Sequence, residues 1–525
     1  MTLSSFAGRW GGVGCSAVLC IVLRTGGIGH LLIWDEAADL CAYRAFAAGS
    51  NDYFAQRFWH HPPAFGSAVQ LLAPLEPGIA ERIEWMALLV NTSSLLVLAV
   101  FVRRVCGPAT ANWASFFLAV MPGAIFFDVW IKGGPFVVLF ALCAFHAQVV
   151  GRFALAALCM GFAFLDKELA AFPAIAMGIL ALLDRRSRQV KCLVLMAGIT
   201  AATAGWWYLI FSGSNRYFFQ LAAGVSSDNW LWRRSWDYYA VRAFHDFGWW
   251  GIALLAAGVA ELVARVVRRR PSPDDPVGTV VYQWWPLIML VPAFVVLQAA
   301  HNKSPWLVTS LYPACATLQA VGAVALVATV RSVTGRYAGN RRWLHVAAAA
   351  LASLALAGAS LATVMTRSYE SAQKNMGVGM YEQARVGHAA AAAFNRLATE
   401  DQPTLITSFY YNRDYFKLIP CPIFTWYMKR QPMVFRPYDL PFNEGLALIT
   451  NYRLDWAVVS PEPGYAADNW RSEMARRGIA LSAVIDFLRP VVPGDDSICE
   501  PEHAVYIFRT TPLHERPTND DFGNR

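Results

Sequence analysis

WDEAADLCAYRAFAAGSNDYFAQRFWHHPP, running from Trp34 to Pro63, leaves one apolar run and returns to another. Asp35 and Glu36 stand side by side at its start, Asp39, Tyr43, Asp52 and Tyr53 follow, and His60-His61-Pro62-Pro63 closes it. Adjacent carboxylates at the mouth of a membrane segment cannot lie in hydrocarbon, so they face an aqueous cavity or a polar partner at the interface. A loop that only joined two spans would need neither the acids nor the aromatics, which makes Asp35 and Glu36 candidates for chemistry. The same residue types also fit a plainer role, the negatively charged first turn of an interfacial helix favoured by the helix dipole.

Composition places the stretch in a membrane protein. With 56% hydrophobic residues, 15% charged residues, 20 Trp and 32 Phe in 525 residues, the chain is too apolar for an ordinary soluble domain. Its formal net charge of +8 comes in short clusters between apolar runs, the signature of membrane topology, so no nucleic-acid partner is expected. A helix of about 20 apolar residues spans a bilayer. On that scale eleven spans are expected, near 10–30, 84–102, 110–127, 134–151, 153–166, 169–183, 190–211, 247–264, 284–300, 306–329 and 344–365. Basic residues beginning at Arg103, Arg152, Arg185, Arg265 and Arg331 then fall on one side, which the positive-inside rule makes cytoplasmic. The N-terminus is therefore expected in the cytoplasm, with no cleavable signal apparent, and the Asp35 loop and the tail outside. Residues 366–525 alternate short β-type runs (Thr404 to Phe409, Trp456 to Ser460, Leu481 to Phe487, Ala504 to Phe508) with helical patterns (Tyr381 to Leu397, Asn443 to Tyr452). That alternation predicts an extracytoplasmic α/β domain behind a transmembrane module of residues 1–365.

Further polar residues gather on the expected outer side. Asp128 ends the third span, where a lone Asp commonly serves as an anchor or a cap. Asp166-Lys167-Glu168 ends the fifth, with Lys167 placed for a local ion pair. Arg24 lies inside the first span, where an arginine needs a phosphate or a carboxylate as partner. The 212–246 loop carries Trp230, Trp232, Arg233, Arg234, Trp236, Tyr238 and Tyr239, either an interfacial belt or a lid whose Arg233 and Arg234 meet phosphate. His301 and Lys303 occupy the next outward turn, where a cation can snorkel or hold a lipid phosphate by a charge-assisted bond.

Asp35-Glu36 after the first span and His61-Pro62-Pro63 before the second resemble the first luminal loop of the polytopic GT-C glycosyltransferases, in particular the bacterial group similar to protein mannosyltransferases and aminoarabinose transferases. The likeness covers residues 10–365 in outline. Asp128 matches the second acidic motif of that pattern, and Lys303 with Leu311-Tyr312-Pro313 matches the start of a late span. The resemblance implies transfer of a sugar from a polyprenyl-phosphate donor to a lipid, polysaccharide or protein acceptor outside a bacterial inner membrane. Asp35 would be the general base, with Glu36 and Asp128 beside it. Lys303, Arg24, His61 and Lys167 would serve the donor phosphate, and His60, His301, Tyr43, Arg233 and Arg234 would contact substrate. A divalent cation between Asp35 and Asp128 is left open by the resemblance. The alternative class is a carrier or flippase for lipid-linked glycans, in which polar residues or broken helices would line a path at the midplane. There is no Walker loop and no dinucleotide fingerprint in the context it would need.

Seven of the ten cysteines lie in or beside expected spans, whereas Cys41, Cys421 and Cys499 lie on the oxidising side. A Cys421–Cys499 disulfide is expected in the external domain, with Cys41 as the competing partner. It would close a loop of about 80 residues and stabilise the domain by about 4 kcal/mol, less any strain. Peptide mapping without reductant should recover the Cys421 and Cys499 peptides linked, and recovery of both as free thiols would remove the bridge.

Overall fold

The computed structural model describes residues 3–29, 36–37, 40–41, 79–129, 134–184, 186–187, 189–209, 236–268, 279–300, 303, 305–338, 342–365, 380–398, 402, 404–407, 426–427, 434–436, 442–459, 467–492 and 495–511. The chain divides into two compact units, Met1–Gly29 with Gln56–Ala372, and His30–Ala55 with Gln373–Arg525. The calls on Asp35, Tyr43, His60, His61, Arg233, Arg234, His301 and Cys421 lie outside the described residues, as does the side chain of Cys499.

The first unit is a bundle of apolar helices: α1 (Leu3–Thr25), α2 (Ile79–Cys106), α3 (Pro108–Val120), α4 (Pro122–Phe127), α5 (Gly134–Val149), α6 (Phe153–Asp166), α7 (Ala171–Leu183), α8 (Val190–Thr200), α9 (Tyr238–Arg268), α10 (Trp285–Ala299), α11 (Tyr312–Ala338) and α12 (Arg342–Met365). Five described helices are long and apolar enough to cross a membrane: Ala80–Cys106, Val190–Leu209, Tyr238–Arg265, Leu307–Arg336 and Trp343–Val364. Five more are apolar but shorter, among them Gly134–Val149 and Phe153–Asp166, so length does not carry the expected count of eleven. The protein is integral to a membrane. On α12 the side chains of Val346, Leu351 and Leu354 stand exposed, as a lipid-facing helix requires.

Two local features depart from the expected spans. The run expected as one helix over 110–127 is broken at Met121, whose backbone is extended (φ −72°, ψ 118°), and a new helix starts at Pro122. Proline has no N–H to continue the first helix, and its fixed φ suits the first position of the next. The segment 238–246, expected as loop, is the first part of α9, which kinks at Gly248 (φ 67°, ψ 172°).

The core of the bundle is close-packed through glycine. A Cβ at Gly258 of α9 would overlap the Leu318 carbonyl oxygen of α11, and one at Gly322 of α11 would overlap the Leu254 carbonyl oxygen of α9. At the Val149 end of α5, Asp184 accepts hydrogen bonds from Arg186 Nη2 (2.8 Å) and Tyr282 Oη (2.9 Å), while Arg186 also donates to the Val149 carbonyl (3.3 Å). This bracket joins the ends of α5 and α7 to the residues just before α10. Against the upward push of burial, these bonds hold the Asp184 carboxyl below its ordinary value.

The second unit is α/β. Strands β1 (Thr404–Thr407), β2 (Val434–Arg436), β3 (Trp456–Val459), β4 (Leu481–Val492) and β5 (Asp495–Arg509) form one sheet in the order β2-β1-β3-β5-β4. β1 pairs in parallel with β2 and β3, and β5 runs antiparallel to β3 and β4. Helices α13 (Met380–Leu397), α14 (Phe442–Asn451) and α15 (Ala467–Arg476) accompany it. Leu405, Ile449, Ala457, Trp470, Met474 and Phe508 build the core of the sheet and its helices. The four expected β runs all fall on strands, whereas β2 and α15 were not expected: β2 is only three residues, and α15 is mostly polar, its apolar side reduced to Trp470 and Met474.

Gly258→Val should lower the melting temperature of the detergent-solubilised chain, since overpacking a tight contact costs about 1–3 kcal/mol or more. Gly178→Ala, where an added Cβ meets nothing within 4 Å, is the control and should leave it unchanged or raise it slightly, as Gly→Ala within a helix does.

Candidate active site

The break before Pro122 builds the site. In a continuous helix the Leu118 carbonyl would accept from the N–H of residue 122, which proline lacks, and the last carbonyls of α3 are left without helical donors. Arg24, in the last turn of α1 and fully buried, supplies them: Nη2 donates to Leu118 O (3.1 Å) and Nη1 to Ala119 O (2.7 Å). Nη1 also reaches Cys20 O (3.3 Å). The other edge of the guanidinium meets Asp128, with Nε and Nη2 each 2.6 Å from Oδ2. Asp128 caps the far end of α4, its own N–H bonded to Ala124 O, and its carbonyl accepts from Asn91 Nδ2 (2.8 Å). One arginine therefore spans the whole of α4.

Of the two partners expected for Arg24, the carboxylate is the one found. The guanidinium's hydrogen bonds go to protein oxygens, those of Cys20, Leu118, Ala119 and the Asp128 carboxylate. Asp128 is only 17% exposed and gives Oδ2 to Arg24, while no hydrogen bond is made to its Oδ1 by the described residues.

A second buried pair backs α4 from the other side. Arg242 Nε lies 3.0 Å from Asp246 Oδ1, and Tyr312 Oη donates to Asp246 Oδ2 (3.0 Å). Arg242 also sits over the Phe127 ring at 5.7 Å. Gly123 makes this approach feasible, because a Cβ there would stand 2.7 Å from Asp246 Oδ1 and closer still to the Tyr312 hydroxyl. The sequence reading missed Arg242 and Asp246; their i,i+4 spacing in an apolar setting was the available signal.

The 3₁₀ turn Pro305–Leu311 collects the remaining candidates. It touches α4, α5 and the turn Glu168–Ala170. Asp166 Oδ2 accepts the Val137 N–H (3.0 Å), capping α5, which begins at Gly134-Pro135. Lys167 is buried beside it, within electrostatic reach of Asp166. Lys303, two residues before the 3₁₀ turn, is 3% exposed and has no hydrogen bond or ion pair among the described residues. Burial lowers its pKa from the ordinary 10.5, and Asp237 opposes the shift. Glu36, in the other unit, is fully buried.

Asp128 shares its charge with Arg24, and among the described residues no three His, Cys, Asp or Glu side chains come together; Asp35, the other expected ligand of a divalent cation, lies outside the described residues.

No protein-family model and no curated protein matches the sequence. Solved structures do match in fold. ArnT from Cupriavidus metallidurans bound to undecaprenyl phosphate is similar with a TM-score of 0.61 at 16% identity, over 96% of this chain and 98% of that one. Its apo state gives 0.58 at 16% identity, over 98% and 100%. The apo oligosaccharyltransferase of Archaeoglobus fulgidus gives 0.55 at 10% identity, over 88% and 70%. These proteins are GT-C superfamily members, and this chain has the GT-C fold.

Asp246→Asn leaves the Arg242 charge buried against a neutral amide and should cost about 3–5 kcal/mol. Tyr312→Phe removes one bond to a charged group and should cost about 1.5–3 kcal/mol. Thermal denaturation of the purified variants should rank them in that order below the wild type; equal melting temperatures would mean that the cluster does not brace α4.

Proposed function

We propose that the chain is a glycosyltransferase that moves a sugar from a polyprenyl-phosphate donor to an acceptor at the extracytoplasmic face of a bacterial inner membrane. The observation that carries this reading is Lys303. A buried ammonium without a counter-ion within salt-bridge distance among the described residues is costly unless an anion completes it. It stands beside the turn that touches α4, the helix that ends at Asp128. The GT-C fold, shared with a protein crystallised with undecaprenyl phosphate, supports a lipid phosphate as that anion.

In the mechanism that follows, Asp35 takes the proton from an acceptor hydroxyl or amine as it attacks the anomeric carbon. The bond from that carbon to the phosphate oxygen breaks in the same step, and the configuration inverts. Lys303, with His61 from the Pro62-Pro63 corner, meets the charge that builds on the leaving phosphate. Glu36 and Asp128 orient the acceptor, and Tyr43, His60, His301, Arg233, Arg234 and Lys167 form the outer contacts. Residues 1–365 are the catalytic module and 366–525 an external domain.

Asp35→Asn should express and bind undecaprenyl phosphate yet release none from lipid-linked sugar; turnover within a few-fold of wild type would remove Asp35 as the base. Lys303 must be protonated to hold phosphate, and its lowered pKa means the proton leaves below pH 10.5. Binding of undecaprenyl phosphate should therefore weaken on the alkaline side before an ordinary lysine titrates, and Lys303→Arg should hold it there. A flat alkaline profile in the wild type would exclude Lys303 from the phosphate site.

A further inference from the structure

We propose that Arg24 is the positioning residue of Asp128: it holds α4 in the helix break and fixes Oδ2 so that Oδ1 is the edge Asp128 offers to substrate. The inference rests on the role proposed above for Asp128.

Every donor of the guanidinium has an assigned task. Two go to the carbonyls of Leu118 and Ala119 at the broken end of α3, one to Cys20 O on its own helix, and one, from Nε, to Asp128 Oδ2, which Nη2 also meets as an ion pair. The carbonyl end of α3 carries the negative pole of the helix, which favours a cation there. The same cation then holds the carboxylate that closes α4, so the two ends of α4 are fixed by one rigid planar group. Lysine keeps the charge but lacks the fork needed to reach both ends.

Asp128 faces charge from more than one element. Arg24 comes from α1, and Arg242 with Asp246 backs α4 from α9, while Asn91 of α2 holds the Asp128 carbonyl. Burial pushes the Asp128 carboxyl up from its ordinary value, and Arg24 pulls against it. Loss of Arg24 therefore does two things at once. The carboxylate is freed to rotate, and the pH at which it takes up a proton rises.

The experiment compares the full chain in nanodiscs with Arg24→Met, Arg24→Lys, Asp128→Asn, Lys303→Ala and the double variant Arg24→Met with Asp128→Asn. Two quantities are measured: affinity for undecaprenyl phosphate, and release of undecaprenyl phosphate from lipid-linked sugar extracted from the host membrane, as a function of pH. Arg24→Met and Arg24→Lys should bind the lipid within about twofold of wild type, whereas Lys303→Ala should lose about tenfold, the equivalent of 1.4 kcal/mol. Turnover of the Arg24 variants should fall toward that of Asp128→Asn, with the acid limb moved to higher pH. The double variant should be no slower than Asp128→Asn alone, because residues that act as one unit are not additive. Loss of lipid affinity in Arg24→Lys to the level of Lys303→Ala would make Arg24 a phosphate ligand and overturn the proposal, as would additive losses in the double variant. Should Arg24→Met fail to fold, Arg24→Lys decides alone. Absence of turnover in the wild type would overturn the transferase reading, while the affinity comparison would still decide whether Arg24 touches phosphate.

Discussion

A buried arginine across a broken helix is the constraint on which the rest of the first unit depends. The break at Pro122 frees carbonyl groups in a setting with no water to satisfy them, and each such group costs free energy unless a donor arrives. Arg24 is that donor, and its charge is in turn satisfied by Asp128. Neither half is stable without the other: an unpaired arginine would be as costly as the open carbonyls. The short helix between Pro122 and Phe127 is thus a rigid block, and the carboxylate at its end is set by covalent geometry as much as by pairing.

The bundle around that block shows why it cannot shift. The Asp246–Tyr312 contact fills the space above Gly123, and the glycine crossings at Gly258 and Gly322 bring α9 and α11 close enough to hold it. At the other end the Asp184 bracket joins α5, α7 and the residues just before α10. Polar groups sit at the ends of helices whose middles are apolar, and each described cluster is internally paired. Among the described residues Lys303 departs from that rule, which is why a ligand is proposed for it.

Where helix ends meet, sequence and structure part company. The expected spans locate most described helices, since runs of apolar residues report membrane helices directly. Four of the five strands of the second unit are also where their β-branched and aromatic runs put them, because a period of two is a local property. The expected single span over 110–127 failed for a local reason as well: Pro122 marks a break, and the apolar run on both sides concealed it.

The sequence by itself determined the membrane class, the helical bundle, the α/β tail and the short list of polar residues that hydrocarbon would not tolerate without a partner. It also limited Arg24 to a carboxylate or a phosphate. Only the tertiary structure decided between them, because Asp128 lies 104 positions away and the carbonyls of Leu118 and Ala119 become acceptors only once the chain has broken at Pro122. The same holds for Asp246 and Tyr312, 66 positions apart, and for Asp166, which caps a helix that begins far upstream. Hydrophobic periodicity is written within one segment, whereas the pairing of buried charges depends on which segments meet, and a linear sequence carries that only through the fold.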